Sequence, residues 1–490
     1  MALAVGELLA LVVPGTPSLP IAIGDLVIAL QPPGAKQFVV DLVGTADKLA
    51  LNLLVVVVAL GGAAGLGVVA RTRPGLAAAG FAAAGIMGLA AALRDPLVEP
   101  VFAVLVAAAT VAIAIDVTRR MLRRAVPPPR QAEMPNWARR RFIGTAVSVG
   151  ALATFGGTIA RILLENRREE RAATVPVPAP TTTADRLPSG GELAVAGISP
   201  LITPNDRFYR IDTALLVPRP DVSEWRLRVT GLVDRPFELT YAELLDMPMF
   251  EQYVTIACVS NEVGGDLIGN ALWQGVRLRE LLDRAGVRSG ATQIVGRAVD
   301  GWTAGFPTEW VTTDEREAMV AVAMNAEPLP STHGFPARLI VPGLYGYVSA
   351  TKWLTEIELT TLEAFDAYWV PLGWSKEAPI KTQSRIDTPR AGASVAAGRV
   401  PVAGVAWAMD RGIARVEVQV DDGEWSEAEL SNPISKATWV QWLYRWEATA
   451  GDHILRVRAT DATGEVQTAE VSDPPPDGAT GHHTISVSVG

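Results

Sequence analysis

Leu49-Ala-Leu-Asn-Leu-Leu-Val-Val-Val-Val-Ala-Leu-Gly-Gly-Ala-Ala-Gly-Leu-Gly-Val-Val-Ala70 runs for 22 residues without a charged side chain. A helical rise of about 1.5 Å per residue carries such a stretch across a hydrocarbon core of roughly 30 Å, so it reads as a transmembrane helix. The pattern recurs on either side. Gly75–Leu93 is of similar length and rich in Ala and Gly, which suits close helix packing, and Leu97–Ile115 carries only Glu99 near one end. Phe142–Ala160 makes a further span. Toward the start, Ala2–Val13 is apolar apart from Glu7 but short for a crossing, and Ile21–Leu30 is interrupted by Asp25. Residues 1–164 are expected to form an all-α transmembrane bundle of four to five helices in the lipid bilayer.

Orientation follows from the basic residues of short loops, which stay on the cytoplasmic side. Arg71 and Arg73 follow one span, and Arg119, Arg120, Arg123, Arg124, Arg130, Arg139, Arg140 and Arg141 precede the last. Both loops read as cytoplasmic, which places everything beyond about Arg161 on the extracytoplasmic face of the cell membrane. Arg139-Arg-Arg-Phe-Ile143 before an apolar run also has the form of a twin-arginine export signal, a route for proteins exported folded with their cofactor. A plain positive-inside anchor would read the same way.

Charge divides the chain likewise. Of the formal −9, residues up to Leu164 carry +6, from 14 basic and 8 acidic side chains, and the remainder carries −15, from 29 and 44. An acidic larger part argues against a nucleic-acid partner, and the basic excess sits where an anionic membrane surface would attract it. A single cysteine excludes an intrachain disulfide framework, a zinc-finger cluster and an all-cysteine iron–sulfur site. The four histidines all lie at or beyond His333, so the apolar part has no histidine for a haem and none is expected there.

Residues 165–197, with a charged run and Val175-Pro-Val-Pro-Ala-Pro180, read as an extended linker. Residues 198–385 mix the alternating Trp225–Leu232, a helix start at Tyr241 and helical spacing over Gln274–Leu282, the pattern of an α+β domain. After a break at Ser384–Pro389, residues 386–490 show period-two alternation in Val402–Trp407, Val416–Val420, Trp439–Trp446, Ile454–Thr460 and Thr484–Val489, which predicts an Ig-like β-sandwich.

Residues able to carry chemistry are few. Cys258 ends the strand-like Val254-Thr-Ile-Ala-Cys258 and enters a polar loop with Gly264-Gly265. A lone cysteine is usually a small buried hydrophobe, but a strand-end cysteine beside accessible loop backbone can ligate a metal. His333, Arg338 and Lys352, with Thr351 beside the lysine, lie among Gly-rich turns, where a planar guanidinium and an ammonium would clamp a phosphate dianion. The bland reading is a solvated basic sheet edge. Ser349-Ala-Thr-Lys352 also fits the S-x-x-K pattern of serine acyl-enzymes, without the S-D-N or K-T-G that accompany it.

Thr203-Pro-Asn-Asp-Arg-Phe-Tyr-Arg-Ile-Asp212, the Cys258 loop with Gly269-Asn270 and Trp273-Gln-Gly275, and the run from His333-Gly-Phe-Pro-Ala-Arg338 to Lys352-Trp353-Leu354 together resemble the sulfite oxidase family of molybdopterin enzymes, in its membrane-anchored bacterial form. The resemblance covers about residues 198–490 and implies a molybdopterin domain followed by a dimerisation-type β domain, hence a homodimer. It implies a molybdenum–molybdopterin cofactor with Cys258 as the metal ligand. By the same resemblance Tyr209, Arg210, Asp300, His333, Arg338, Thr351 and Lys352 bind the cofactor, and Tyr368 matches the active-site tyrosine at a shorter spacing from Lys352.

Two departures bear on the substrate. Where sulfite-oxidising members carry anion-binding arginines, this chain reads Val259-Ser-Asn-Glu-Val263 and Asp477-Gly-Ala-Thr-Gly-His482. Losing two charge-assisted partners, each worth about 1.5–3 kcal/mol, weakens the case for sulfite and raises that for reducing an S- or N-oxide. The expected function is oxygen-atom transfer on a small S- or N-containing molecule, with electrons exchanged with a separate cytochrome or quinone carrier. The alternative is a non-catalytic membrane-tethered binding protein on the same fold.

Overall fold

The structure is a computed structural model, and it describes residues 16–31, 47–95, 98–125, 176–215, 217–312 and 316–490, with Glu7 and Val39. The expected spans Ala2–Val13 and Phe142–Ala160, the arginine triplet 139–141 and residues 165–175 of the linker lie outside the described residues. The chain divides into two compact units, Met1–Arg171 with Thr213–Pro218, and Ala172–Asp212 with Arg219–Gly490.

The first unit is helical. Its described helices are α1 (Leu19–Ala29), α2 (Asp47–Val69), α3 (Pro74–Ala92) and α4 (Pro100–Ala125). Ser18 caps α1 by accepting from the Ile21 amide at 3.4 Å. Small residues let the helices approach: Leu19 and Ala22 pack with Ala91, Ala92, Ala103 and Val106. Ala50–Val69, Pro74–Ala92 and Pro100–Arg123 are long and apolar enough to cross a membrane. Leu53, Leu54, Val57, Val58 and Leu60 of α2 point outward, an apolar face that suits lipid rather than water. The run interrupted by Asp25 forms the shorter α1.

The second unit holds an α+β domain and a β-sandwich. One sheet has the order β2-β1-β10-β5-β6, with β1 Arg226–Gly231, β2 Phe237–Thr240, β5 Gln293–Ala298, β6 Thr303–Pro307 and β10 Leu354–Thr360. Another runs β3-β4-β7-β8 with β9 on β7, where β3 is Met249–Ala257, β4 Ile268–Arg277, β7 Met319–Met324, β8 Glu327–Pro328 and β9 Arg338–Ile340. Thr240 and Glu243 form a reciprocal capping box that starts α5, Tyr241–Leu245. The Gln274–Leu282 segment is helical only in its second half. Gln274–Arg277 completes β4 between β3 and β7, and α6 (Leu278–Ala285) starts where that pairing stops.

The described part of the linker, 176–197, turns at Gly190 and Gly197 and is not a free tether. Thr181 N donates to Met249 O at 2.7 Å, and Gln274 Nε2 donates to Pro178 O at 2.7 Å, so it lies along β3 and β4.

The sandwich packs the sheet β11-β13-β17-β16 against β12-β19-β18-β14-β15. Its long strands are β11 Gln383–Thr388, β13 Gly398–Trp407, β14 Ile413–Val420, β17 Val440–Ala448, β18 Gly451–Asp461 and β19 His483–Val489, and its short ones β12 Ala393–Val395, β15 Ser426–Glu427 and β16 Glu429–Leu430. Alternate residues of both sheets, among them Val402, Val416, Trp442, Leu455 and Val487, fill the core. The expected break at Ser384–Pro389 is occupied by β11, whose pairing with β13 makes Gln383 the start of the sandwich.

Candidate functional site

Cys258 follows β3 directly, so the sheet fixes where its Sγ emerges. Its amide donates to Leu267 O at 2.9 Å, and its carbonyl accepts from Asn261 N at 3.1 Å. The buried Asn261 side chain accepts from Leu267 N at 2.8 Å and shapes the turn from inside. The β-sandwich also grips this loop. Arg385 Nη1 donates to Gly265 O at 2.6 Å, while its Nε and Nη2 donate to Asp387 and Ser199. The cysteine is half-buried, as a ligand that must stay reachable requires.

His333, Arg338, Thr351 and Lys352 converge nearby. His333 follows a short turn after β8, and Gly334 takes φ +114°, where a Cβ would stand 3.0 Å from Lys352 Cα. Only glycine lets the two chain segments approach this closely. Trp353 holds the other side at φ +50°, uncommon for a bulky residue, with its indole N–H donating to Ser331 O at 2.8 Å. Arg338 Nη1 donates to His333 O at 2.9 Å, and its guanidinium lies 5.0 Å from the centre of the Trp273 ring. Lys352 Nζ donates to Thr332 O and to Asp212 Oδ2, both at 3.1 Å, and Arg210 Nε reaches the same carboxylate oxygen at 2.9 Å.

Charge in this cluster is unbalanced. Arg338 and Lys352 are buried with Asp212 as the carboxylate that meets the lysine, and burial lowers the arginine to about 10 and the lysine to about 8, the latter partly opposed by Asp212. Burial first, then Lys352 and Arg338, hold His333 down at about 4, so it is neutral at pH 7. Its Nε2 lies 3.0 Å from Asn205 O, where it acts as donor, while Nδ1 finds no partner. Arg338 Nε and Thr351 Oγ1 are equally buried and unsatisfied among the described residues. Orphaned buried polar atoms are costly, and two unsatisfied donors, Arg338 Nε and Thr351 Oγ1, beside excess positive charge fit an enclosed anion with several acceptors, as a pterin phosphate would be, whereas the unprotonated His333 Nδ1 can only accept.

Tyr209 joins this pocket to the cysteine. Its ring stacks on Phe208 at 5.3 Å, and Phe208 meets the His333 ring edge-on at 5.6 Å. Its hydroxyl lies within electrostatic reach of both Cys258 and Arg338, and burial, then the cysteine, push it far above the ordinary tyrosine range. A Cβ on Gly346, the first residue of α7 (Gly346–Ser349), would stand 3.6 Å from Ala257 O and 3.9 Å from Tyr209 Oη. Next to it, Tyr345 is also raised, by burial first and by Asp477 and Cys258. Both hydroxyls therefore stay protonated and can donate toward a group at the cysteine.

The structure thus brings together Cys258, Tyr209, Arg210, His333, Arg338, Thr351 and Lys352. Asp300 accepts from Trp302 N at 3.2 Å in the β5–β6 turn, next to Val299, whose amide donates to Trp353 O at 2.9 Å. The Tyr368 amide donates to Thr303 Oγ1 at 3.0 Å, and its ring meets Trp369 edge-on. Ser349 Oγ donates to the Leu344 and Tyr345 carbonyls, so it is no nucleophile for Lys352. Sequence reasoning missed Tyr345 and Asp212, although both lie inside stretches it singled out.

Residues 214–369 match the family model described as "Oxidoreductase molybdopterin binding domain". The chain is 36% identical over 154 residues to the uncharacterized oxidoreductase YuiH of Bacillus subtilis (strain 168), covering 31% of this chain and 74% of that protein. It is 30% identical over 315 residues to mitochondrial sulfite oxidase of Mus musculus, covering 54% of this chain and 57% of that protein. Among solved structures, the sulfane dehydrogenase SoxCD of Paracoccus pantotrophus aligns with a TM-score of 0.49 at 25% identity, over 56% of this chain and 76% of that one.

Proposed function

The chain belongs to the sulfite oxidase family of molybdopterin-binding oxidoreductases, and on that premise we propose that it is a membrane-anchored, extracytoplasmic enzyme that moves an oxygen atom to or from a small S- or N-containing substrate. The observation that carries this reading is the pocket of buried cations and unsatisfied polar atoms joined through Tyr209 to a half-buried cysteine. Cys258 would hold the molybdenum, and His333, Arg338, Thr351 and Lys352 would hold the pterin phosphate. When bound, that group supplies a two-electron centre able to accept or give up an oxygen atom. Reduction of a sulfoxide consumes two protons and two electrons and yields sulfide and water; oxidation of sulfite takes up water and releases two of each with sulfate.

The chain's own residues hold and orient. Arg338, shielded from water, keeps its charge near neutral pH, and Lys352, at about 8, is mostly protonated there. Tyr209 and Tyr345 keep their protons, so each can donate to a substrate oxygen without becoming a base. Phe208, edge-on to His333, and Trp273, beneath the Arg338 guanidinium, are buried and give the cluster an apolar side.

Arg71, Arg73 and the basic run from Arg119 support cytoplasmic loops, and hence a catalytic domain on the far side delivered by the twin-arginine route. With no histidine in residues 1–164, electrons would be exchanged with a separate cytochrome or quinone carrier. The β-sandwich is the surface for a homodimer. Purified protein should be assayed for oxidation of sulfite with an artificial acceptor and for reduction of sulfoxides and amine N-oxides with an artificial donor. Turnover of any of these supports the assignment; inertness of molybdenum-loaded protein toward all of them contradicts it.

A further inference from the structure

Resting on that reading, a second cluster bears on which oxides the site takes. The segment after Pro474 reaches from the sandwich to the Cys258 side of the α+β domain. Ser375 N donates to Pro476 O at 3.0 Å, and Tyr347 Oη donates to Ser375 O at 2.6 Å. Gly478, at φ +108°, lies so close to Tyr345 that a Cβ would stand 2.6 Å from its Oη. Tyr345 precedes Gly346, where a Cβ would stand 3.6 Å from the carbonyl of Ala257, the residue before Cys258, and its hydroxyl faces residues 477–478.

Lys381 occupies the same place. Its Nζ donates to Asp477 Oδ1 at 2.8 Å and to Gly478 O at 2.6 Å. The lysine side chain is 29% exposed and the aspartate 48%, whereas Tyr345 is buried, so the pair lies on the solvent side of the tyrosine. An ammonium at the rim of an oxygen-transfer site would favour an oxyanion. Here a carboxylate and a carbonyl occupy it, and the pair has no net charge.

We propose that the Lys381–Asp477 pair is a charge latch at the rim of the Cys258 site that makes an uncharged oxide, a sulfoxide or an amine N-oxide, the preferred substrate over an oxyanion such as sulfite. Asp477 is the specificity-determining residue, because it withholds Lys381 from the substrate. Sulfite would have to compete with a carboxylate for that ammonium and approach the carboxylate's own charge. A sulfoxide brings only a dipole, which the Tyr345 hydroxyl can meet as donor.

The test uses the full-length, molybdenum-loaded protein and reads sulfate binding by calorimetry, which needs no turnover. Asp477→Asn should bind sulfate about tenfold more tightly than the wild type, the scale of one partly exposed charge-assisted contact. Lys381→Met added to Asp477→Asn should remove that gain. The ratio of kcat/KM for sulfite to that for dimethyl sulfoxide should rise with Asp477→Asn in step with sulfate affinity. Unchanged sulfate affinity in Asp477→Asn, or a gain that survives in the double variant, overturns the latch; Asp477→Ser gives the same reading should the Asn variant fold poorly. Loss of turnover on every oxide with the sulfate response intact would instead count against oxygen-atom transfer itself.

Discussion

Acid should unfold the cofactor-free protein through His333. The ring is 3% exposed, its Nε2 is committed to Asn205 O, and its unsatisfied Nδ1 lies near Lys352 and Arg338. Burial first disfavours a proton there, and Lys352, Arg338 and Arg210 add their positive charge, which is why its pKa falls from 6.5 to about 4. A folded-state value below the unfolded one means that the unfolded chain binds the proton more readily. Stability is therefore fully present above about 6.5 and is lost as pH falls toward 4. At pH 5 the loss from this residue is about 2 kcal/mol, approaching about 3 kcal/mol near pH 4. His483, also held near 4 by burial and then by Arg385, adds a parallel loss, so the contribution of His333 must be read as a difference. Urea unfolding of protein produced without cofactor, at pH 7 and pH 5, should show a smaller pH-dependent loss in His333→Gln than in the wild type, by about 2 kcal/mol. Equal losses in the two proteins would refute the argument. Cofactor-loaded wild type should lose less than the cofactor-free form, because a bound dianion offsets Lys352 and Arg338.

Gly334→Ala should cost about 1–3 kcal/mol, from the left-handed backbone and a Cβ pressed on Lys352, and should lower pterin content; wild-type melting and loading would show that the close approach is relaxed. Replacing Arg139 and Arg140 by lysine keeps the positive-inside charge but should leave the catalytic domain unexported, read by protease accessibility in spheroplasts; normal exposure would reduce the pair to a charge anchor. Purified chain should show no Soret band, since residues 1–164 contain neither histidine nor cysteine; a persistent haem spectrum would contradict a separate electron carrier.

Much of the fold was legible because its patterns are local. Uncharged runs marked α2, α3 and α4, and period-two alternation marked β1 and the long sandwich strands. Gln274–Leu282 misled because apolar residues at helical spacing in a short segment can equally belong to a strand; pairing of Gln274–Val276 on both edges decided it. The Pro-rich linker read as a tether because backbone bonds such as Thr181 to Met249 leave no trace in composition. At the site, His333, Arg338 and Lys352 stood out as a charged cluster around tight turns, and Cys258 as the end of a strand. Asp212 and Tyr345 did not, because a counter-charge and a hydroxyl donor acquire those roles only when the chain brings distant segments together. The grip of Arg385 on Gly265 crosses from the sandwich to the α+β domain and was equally invisible in sequence.

The central claim is that Cys258 and the adjoining cationic pocket hold a molybdenum–pterin group. Metal and pterin analysis of the full chain, purified from a host able to make the cofactor and compared with Cys258→Ser, tests it most directly. The account predicts close to one molybdenum and one pterin per wild-type chain, with metal and turnover lost in a folded Cys258→Ser protein, because a hydroxyl is a poor ligand for a soft thiolate site. Wild-type protein free of molybdenum, or a serine variant that keeps metal and activity, would contradict it.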